Sequence, residues 1–317
     1  MTATHVGIVW NPSKADKEDL DSAWQEAVDS AKVGVTLEVS WFETQEDDPG
    51  RGPAKDALEA GVDVVVAAGG DGTVRAVAEY LAEVEADVDL GIVPLGTGNL
   101  LARNLNIPLG NPVEAFVRIF RGTASPIDVG WAEVAVGSGT EKHAFVVMAG
   151  FGIDAHMITE TDDDLKEKAG WLAYVESLGR ALSASEVIDI HLGLHGEELV
   201  RNDAHTLIVG NCGTLQGGLT LLPDADPRDG ELDLIVLNSE GISGWVDTLK
   251  NVVWDNGLKR FLTGGDGAQD SKSAAHRRLT SAVVELSEPR IFEVDGDDLD
   301  ETTRVEISVQ PAGVRIR

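Results

Sequence analysis

The 317-residue sequence predicts two halves of different class, an α/β half over residues 1–125 and a β-rich half over residues 126–317. Three observations carry that division. Apolar runs of strand length alternate with amphipathic helical segments up to Arg121, the pattern of an open parallel sheet with right-handed crossovers. From Ile127 onward strand patterns dominate, separated by Gly- and Asp-rich turns. Two consecutive strands of the first half each end in a glycine-rich loop, at the sheet edge where open α/β folds take ligands.

In chain order, His5–Trp10 reads as a buried strand ended by Asn11-Pro12. Leu20–Lys32 is a helix, with Leu20, Trp24, Ala27, Val28 and Ala31 on one side. Val35–Phe42 alternates as a strand, and Pro53–Ala60 is a short helix with its proline near the start. Val62–Ala68 is a continuous apolar run, as in a central parallel strand. Thr73–Glu85 is helical, Leu90–Leu95 a strand, and Asn99–Leu105 and Val113–Arg121 are helical. In the second half DVGWAEVAV, HAFVVMAG, EVIDIHLGLH, AHTLIVGN, ELDLIVL, AVVELS, RIFEVDGD and TRVEISVQPAGVRIR read as strands, interrupted by helical stretches at Leu165–Leu182 and Ile242–Leu262.

Composition is that of a folded globular chain long enough for two domains. No run of 18 apolar residues predicts a transmembrane helix, and MTATHVGIVW lacks the basic and apolar regions of a secretory signal. Cys212 is the only cysteine, which excludes an intramolecular disulfide and a Cys-rich zinc site. Together these features point to the cytoplasm. Asp and Glu total 55 against 25 Lys and Arg, a formal net charge of −30. That balance argues against nucleic acid as a partner and is awkward for approach to an anionic membrane. It reads as a solvated acidic surface or as an acidic partner-binding face.

The strongest chemical signal is Gly69-Gly70-Asp71-Gly72-Thr73, between the most hydrophobic strand and a helix. Glycines there let backbone N–H groups approach phosphate oxygens, and a helix N-terminus favours negative charge. Asp71 would repel a phosphate, so it reads as a metal ligand or as an acceptor that holds the loop. Pro94-Leu95-Gly96-Thr97-Gly98-Asn99 repeats the logic after the next strand. No G-x-x-x-x-G-K-[ST] is present, so this is not a P-loop. Gly150-Phe151-Gly152-Ile153-Asp154-Ala155 matches G-x-G-x-x-A but lies in the β-rich half, and reads as a turn beside the cleft. His191 and His195 are four apart on a strand-like segment, which disfavours a helical metal pair.

With these residues on the page, the chain resembles the bacterial diacylglycerol kinase catalytic family of soluble lipid kinases, which is similar to sphingosine kinases. Asn11-Pro12, GGDGT at 69–73, PLGTGN at 94–99, PIDVG at 126–130, LLPDADPRDGELDL at 221–234 and VDGD at 294–297 occur in order, and the likeness is closest to an actinobacterial branch. The resemblance implies an N-terminal α/β nucleotide domain and a C-terminal β-sandwich-like domain with the site between them, the last strand returning toward the first domain. It implies ATP along Asn11, Gly69, Gly70, Gly72, Thr73, Gly96, Thr97, Gly98 and Asn99, with Asp71 organising that site and its magnesium. It implies a catalytic network of Lys14, Asp128 and Asp297, in which Asp297 accepts the hydroxyl proton. The usual glycine-rich continuation after Asn-Pro is absent here, which leaves Lys17 a rival to Lys14, and Asp297 stands where many members carry glutamate. For Asp297 an acidic hairpin turn is the plain alternative. The carboxylates of 224–231 suit magnesium, with Asp226 and Asp229 as ligands by resemblance, or form a solvated acidic loop.

For lipid access, Ile242–Leu262 reads as a membrane-contacting element or as core, and Lys272, His276, Arg277 and Arg278 as a headgroup-binding group or a solvated loop. A lipid kinase working transiently at the inner face of the membrane is the expectation. A homodimer is compatible with the sequence, which does not determine the oligomeric state. A soluble-substrate kinase of the NAD-kinase type would share GGDGT, but PIDVG and LLPDADPRDG count against it. A non-catalytic nucleotide-binding regulator rests only on the altered Asn-Pro loop and on Asp297.

Overall fold

Among the described residues fourteen strands join into one continuous sheet, and helices cover its N-terminal part. The structure, a computed structural model, describes residues 4–31, 36–137, 139–152, 187–215, 220–237 and 274–317. The first half runs β1 (Thr4–Trp10), α1 (Lys17–Ala31), β2 (Leu37–Glu43), α2 (Arg51–Glu59), β3 (Val64–Gly69), α3 (Asp71–Glu83), β4 (Asp89–Pro94), α4 (Leu100–Asn104) and α5 (Pro112–Arg121). The second runs β5 (Ser125–Val136), β6 (Gly139–Phe145), β7 (Met148–Phe151), β8 (Ile188–Leu194), β9 (Val200–Ala204), β10 (Thr206–Gly210), β11 (Leu232–Leu237), β12 (Ala274–Leu279), β13 (Ser281–Val294) and β14 (Asp297–Ile316).

Strands β4, β3, β1 and β2 are parallel neighbours in that order. Every residue of β3 and β4 is buried, because helices cover both faces. Val64, Val66 and Ala68 pack with Trp24 and Ala27 of α1 and Phe116 of α5, where the Trp24 ring meets Phe116 and Phe120 edge-on. Val65 and Ala67 point the other way, against Val74, Val77 and Leu81 of α3. The carboxyl ends of β3 and β4 are therefore left open between two helical layers.

β14 joins the halves. It pairs antiparallel with β13 and β5, and its end pairs parallel with β4 through Arg315 and Ile316. One core cluster accordingly crosses the boundary, from Val65 and Leu90 to Ile127, Val129, Val146 and Ile316. A second core, which includes Phe145, Ile190, Leu207 and Phe292, belongs to the β-rich half alone.

The structure differs from the strand-by-strand expectation in informative places. The segment 143–150 is not one strand. It breaks between β6 and β7, where the amides of Val146, Val147 and Met148 turn to the Asp295 carboxylate. Conversely, AVVELS and RIFEV form one strand, β13, with an irregularity between Glu285 and Arg290 that accommodates Pro289. His276, Arg277 and Arg278 lie on β12, an edge strand. There His276 faces Asp233 at 2.6 Å, and Arg278 faces Asp229 and Glu231 at 3.6 and 3.5 Å. His195 bonds Thr280 and the Arg278 carbonyl. Among the described residues no helix is long and apolar enough to cross a membrane. The stretches Leu165–Leu182 and Ile242–Leu262, and Lys272, lie outside the described residues.

Candidate active site

The two glycine loops meet back to back. A Cβ on Gly96 would stand 2.7 Å from the Gly70 Cα, so only glycine lets the loops approach this closely. Asp71, the first residue of α3, points into the second loop. Its two carboxylate oxygens accept the Asn99 N–H at 2.7 Å and the Leu100 N–H at 2.6 Å. A Cβ on Gly98 would collide with that carboxylate at 2.7 Å. Asp71 thus holds the loop, and its own N–H also bonds the carboxylate. Burial pushes its pKa up, against the pull of the Leu100 and Asn99 amides and the nearby Arg103.

Asn99 closes the second loop on itself. It sits in the left-handed region at φ 48°, its Oδ1 accepts the Gly96 N–H at 3.0 Å, and its Nδ2 donates to the Gly96 carbonyl. Asn is among the few side chains at ease there. Arg103 Nε donates to the Gly98 carbonyl at 2.6 Å. Thr97, at the loop tip, is exposed. On the first loop no side chain caps α3, which leaves its leading amides available to an anion. Thr73 is buried, and Asn11 Nδ2 lies 3.5 Å from its hydroxyl. Asn11 is fixed in turn by its N–H to the Ala68 carbonyl and by Ser13 on its Oδ1.

The two candidate lysines separate. Lys14 lies along the first loop, its Cε 4.0 Å from where a Gly70 Cβ would be. Lys17 opens α1 and holds its ammonium 5.9 Å from the Trp41 ring on β2.

Asp297 reaches the same place from the other half. Residues 295 and 296, at φ 51° and 88°, form a two-residue turn flanked by the Val294–Asp297 pair, the geometry that Asp-Gly favours. This turn sets the half-exposed Asp297 carboxylate over α3, with Oδ2 3.8 Å from a Cβ on Gly72. Arg75 donates to that Oδ2 from Nη2 at 2.7 Å and from Nε at 3.2 Å. Arg75 and its helical partner Glu79 were not singled out in the sequence. Their signal there is the Arg-x-x-x-Glu spacing immediately after the glycine loop. Asp295 is wholly buried and accepts three amides, from Val146 at 2.8 Å and from Val147 and Met148 at 2.9 Å. Burial pushes its pKa up to about 6.

Asp128 lies on β5, where Asn211 Nδ2 donates both to its carbonyl and to the Val146 carbonyl, at 2.8 and 3.1 Å. Its buried carboxylate accepts the Gly230 and Ala312 N–H groups, each at 2.8 Å, which pins the 221–231 loop and the irregular end of β14. Asp226 faces Arg228 at 3.9 Å, and Asp229 faces Arg278 at 3.6 Å. Among the described residues no three His, Cys, Asp or Glu side chains converge on a metal position.

Beside the loops lies an open pocket with an almost wholly apolar lining. Leu100, Met148, Phe151, Ile208, Leu215 and Leu221 form much of its wall, and Asp295 and Gly296 of the turn stand at one side. Asn104 ties this wall to the second glycine loop. It exchanges hydrogen bonds with the Thr214 backbone at 2.8 and 3.1 Å.

A glycine-loop α/β half joined to a β-rich half around such a cleft defines a phosphate-handling class, and comparison with known proteins narrows it. Residues 5–132 match the diacylglycerol kinase catalytic domain, and residues 146–316 match the YegS C-terminal NAD kinase beta sandwich-like domain. The chain belongs to the YegS-like lipid kinase family, which joins these two parts. It is 31% identical over 327 residues to a "Probable lipid kinase YegS-like" of Xanthomonas oryzae pv. oryzae, covering 100% of this chain and 96% of that protein. It is 30% identical over 318 residues to a protein of the same name from Pseudomonas aeruginosa, covering 100% and 95%. Its fold is similar to the crystal structure of a diacylglycerol kinase from Bacillus anthracis str. Sterne, with a TM-score of 0.67 at 22% identity over 99% of this chain and 96% of that one.

Proposed function

We propose that the chain is an ATP-dependent kinase that transfers the γ-phosphate of ATP to the hydroxyl of diacylglycerol or a related lipid, met at the inner membrane surface. One juxtaposition carries the reading. Two elements each contribute to both the glycine loops and the apolar pocket. The Leu100 amide is held in the loop while its side chain lines the pocket, and the turn that presents Asp297 over Gly72 puts Asp295 and Gly296 in the pocket wall. A phosphate donor on the loops would therefore adjoin a cavity suited to an acyl chain. We divide the chain at residues 125 and 126, the first part serving the nucleotide and the second the lipid.

The triphosphate would lie along Asn11, Gly69, Gly70, Gly72 and Thr73 on the first loop and Gly96, Thr97, Gly98 and Asn99 on the second. Lys14 would offset its charge. Phosphoryl transfer asks mainly for positioning and charge neutralisation. Asp297 would take the proton of the lipid hydroxyl through Oδ1. The hydroxyl oxygen would bond to the γ-phosphorus as the bond to the β–γ bridging oxygen breaks, its electron pair leaving with ADP. Magnesium, when bound, would neutralise phosphate charge, with Asp71 holding it through its carboxylate. Such ions commonly use one or two carboxylates plus substrate phosphates. Asp226 and Asp229 would hold a structural magnesium, and Asp128 would join Lys14 and Asp297 in the catalytic network.

The test is transfer of labelled γ-phosphate from magnesium-ATP in mixed micelles, with diacylglycerol, sphingosine and NAD in parallel. Label in diacylglycerol is expected. Label in NAD alone would overturn the lipid reading, and absence of label from all three would overturn the acceptor assignment.

A further inference from the structure

We infer that Arg75 is the positioning residue that aims Asp297 at the acceptor hydroxyl. The inference rests on the reading of Asp297 as the proton acceptor and extends it to a residue on the other side of the cleft.

The guanidinium is set before Asp297 is considered. Arg75 is largely buried, and its Nη1 lies 3.4 Å from Glu79 Oε2, one turn along α3. Glu79 is itself fixed by the Ala144 N–H on Oε2 at 2.9 Å and by Arg51 on Oε1 at 3.3 Å. Four elements or their flanks, α2, α3, β6 and the β13–β14 turn, thus meet around the Arg75–Glu79 pair.

The two other nitrogens of Arg75 both donate to a single oxygen. Arginine–carboxylate pairs frequently lie side by side, one N–H to each oxygen. Here Nε and Nη2 both reach Oδ2, and Oδ1 accepts no hydrogen bond among the described residues. The half-exposed carboxylate is thereby fixed in rotation, with Oδ2 over Gly72 and Oδ1 free. The positive charge also stands near Asp295, where it opposes the effect of burial. It therefore acts on two carboxylates that lie two residues apart.

The experiment compares Arg75→Met, Arg75→Lys and Asp297→Asn for kcat and KM on diacylglycerol and ATP, with guanidinium at low millimolar concentration added to each. Misplacing a reacting group by about 1 Å costs on the order of a hundredfold. Arg75→Met should therefore lose roughly ten- to a hundredfold in kcat, while its KM for ATP changes by less than about threefold. Guanidinium should restore part of that loss, and Arg75→Lys should fall between the parent and Arg75→Met. If Asp297→Asn is inactive while Arg75→Met keeps the parent kcat, the role of Arg75 is refuted and that of Asp297 stands. If Asp297→Asn turns over normally, the base assignment fails first. A loss in Arg75→Met that tracks a fall in Tm and ignores guanidinium makes the residue merely structural and overturns the inference.

Discussion

Asp295 is buried and carries three amide hydrogen bonds, yet its carboxyl is held near pKa 6, because burial outweighs the Val146, Met148 and Val147 amides and the Arg75 charge. The ordinary value is 3.8, so between about pH 4 and pH 6 the folded chain keeps a proton that the unfolded chain has released. The resulting stability is fully present below pH 4 and is lost as pH rises through 6, an effect on the order of 3 kcal/mol. Asp295→Asn abolishes this titration. Denaturant unfolding of both forms from pH 4 to pH 7 should show the parent losing stability relative to the variant as pH rises. A difference that stays flat with pH would refute the assignment. At this scale the sequence was legible where a residue type and its immediate neighbours define the chemistry. Asp71 beside glycines in a strand-to-helix loop is such a case. Asp295 was legible only as a neighbour of Asp297, because its partners at 146–148 lie about 150 positions away. Arg75 looked like any helix-surface cation, and only the turn that brings Asp297 to it, 222 residues along the chain, makes it part of the site.

Elements with a strong period came through, and those shaped by distant partners did not. The parallel strands and the helices around them follow from apolar runs and helical spacing, and both glycine loops fall where those strands end. The break between β6 and β7 and the merging of two apolar runs into β13 depend on Asp295 and on accommodating Pro289, which no local pattern announces. The contact between the loops yields a paired prediction. Gly70 has an ordinary extended backbone at φ −89°, and a Cβ there meets nothing nearer than 3.5 Å. Gly70→Ala should leave Tm within a few degrees of the parent, as expected for about 0.5 kcal/mol. It should still weaken ATP by tenfold or so, because the methyl group occupies the surface that phosphate would approach. Gly96→Ala puts its Cβ 2.7 Å from the Gly70 Cα, backbone against backbone, so the loops must part and both Tm and ATP affinity should fall. Thermal unfolding and titration with ATP separate the cases. Unchanged affinity in Gly70→Ala would remove that loop from the nucleotide site.

Across the whole molecule the halves share a sheet and a core through β14, so the boundary near residue 125 is a change of topology within a continuous structure. The net charge of −30 belongs to this scale too, and it bears on how a lipid is reached. Several cations on the described surface are already engaged: Arg304 with Glu285 and Glu306, Arg201 with Asp189, and Arg315 and Arg317 with Asp89. An anionic bilayer should therefore repel the chain at long range, with a reach set by salt: about 30 Å at 0.01 M ionic strength and about 3 Å at 1 M. Diacylglycerol offered in zwitterionic vesicles should be phosphorylated faster at low salt than the same lipid in vesicles rich in phosphatidylglycerol. A roughly tenfold gap is reasonable for a steered encounter of this charge. Raising the salt should close the gap by accelerating the reaction on the anionic vesicles, whereas a loss of apolar contact would slow both surfaces alike. Faster turnover on the anionic vesicles at low salt would mean that a local basic face overrides the net charge, and the approach to the membrane would then be governed by that face.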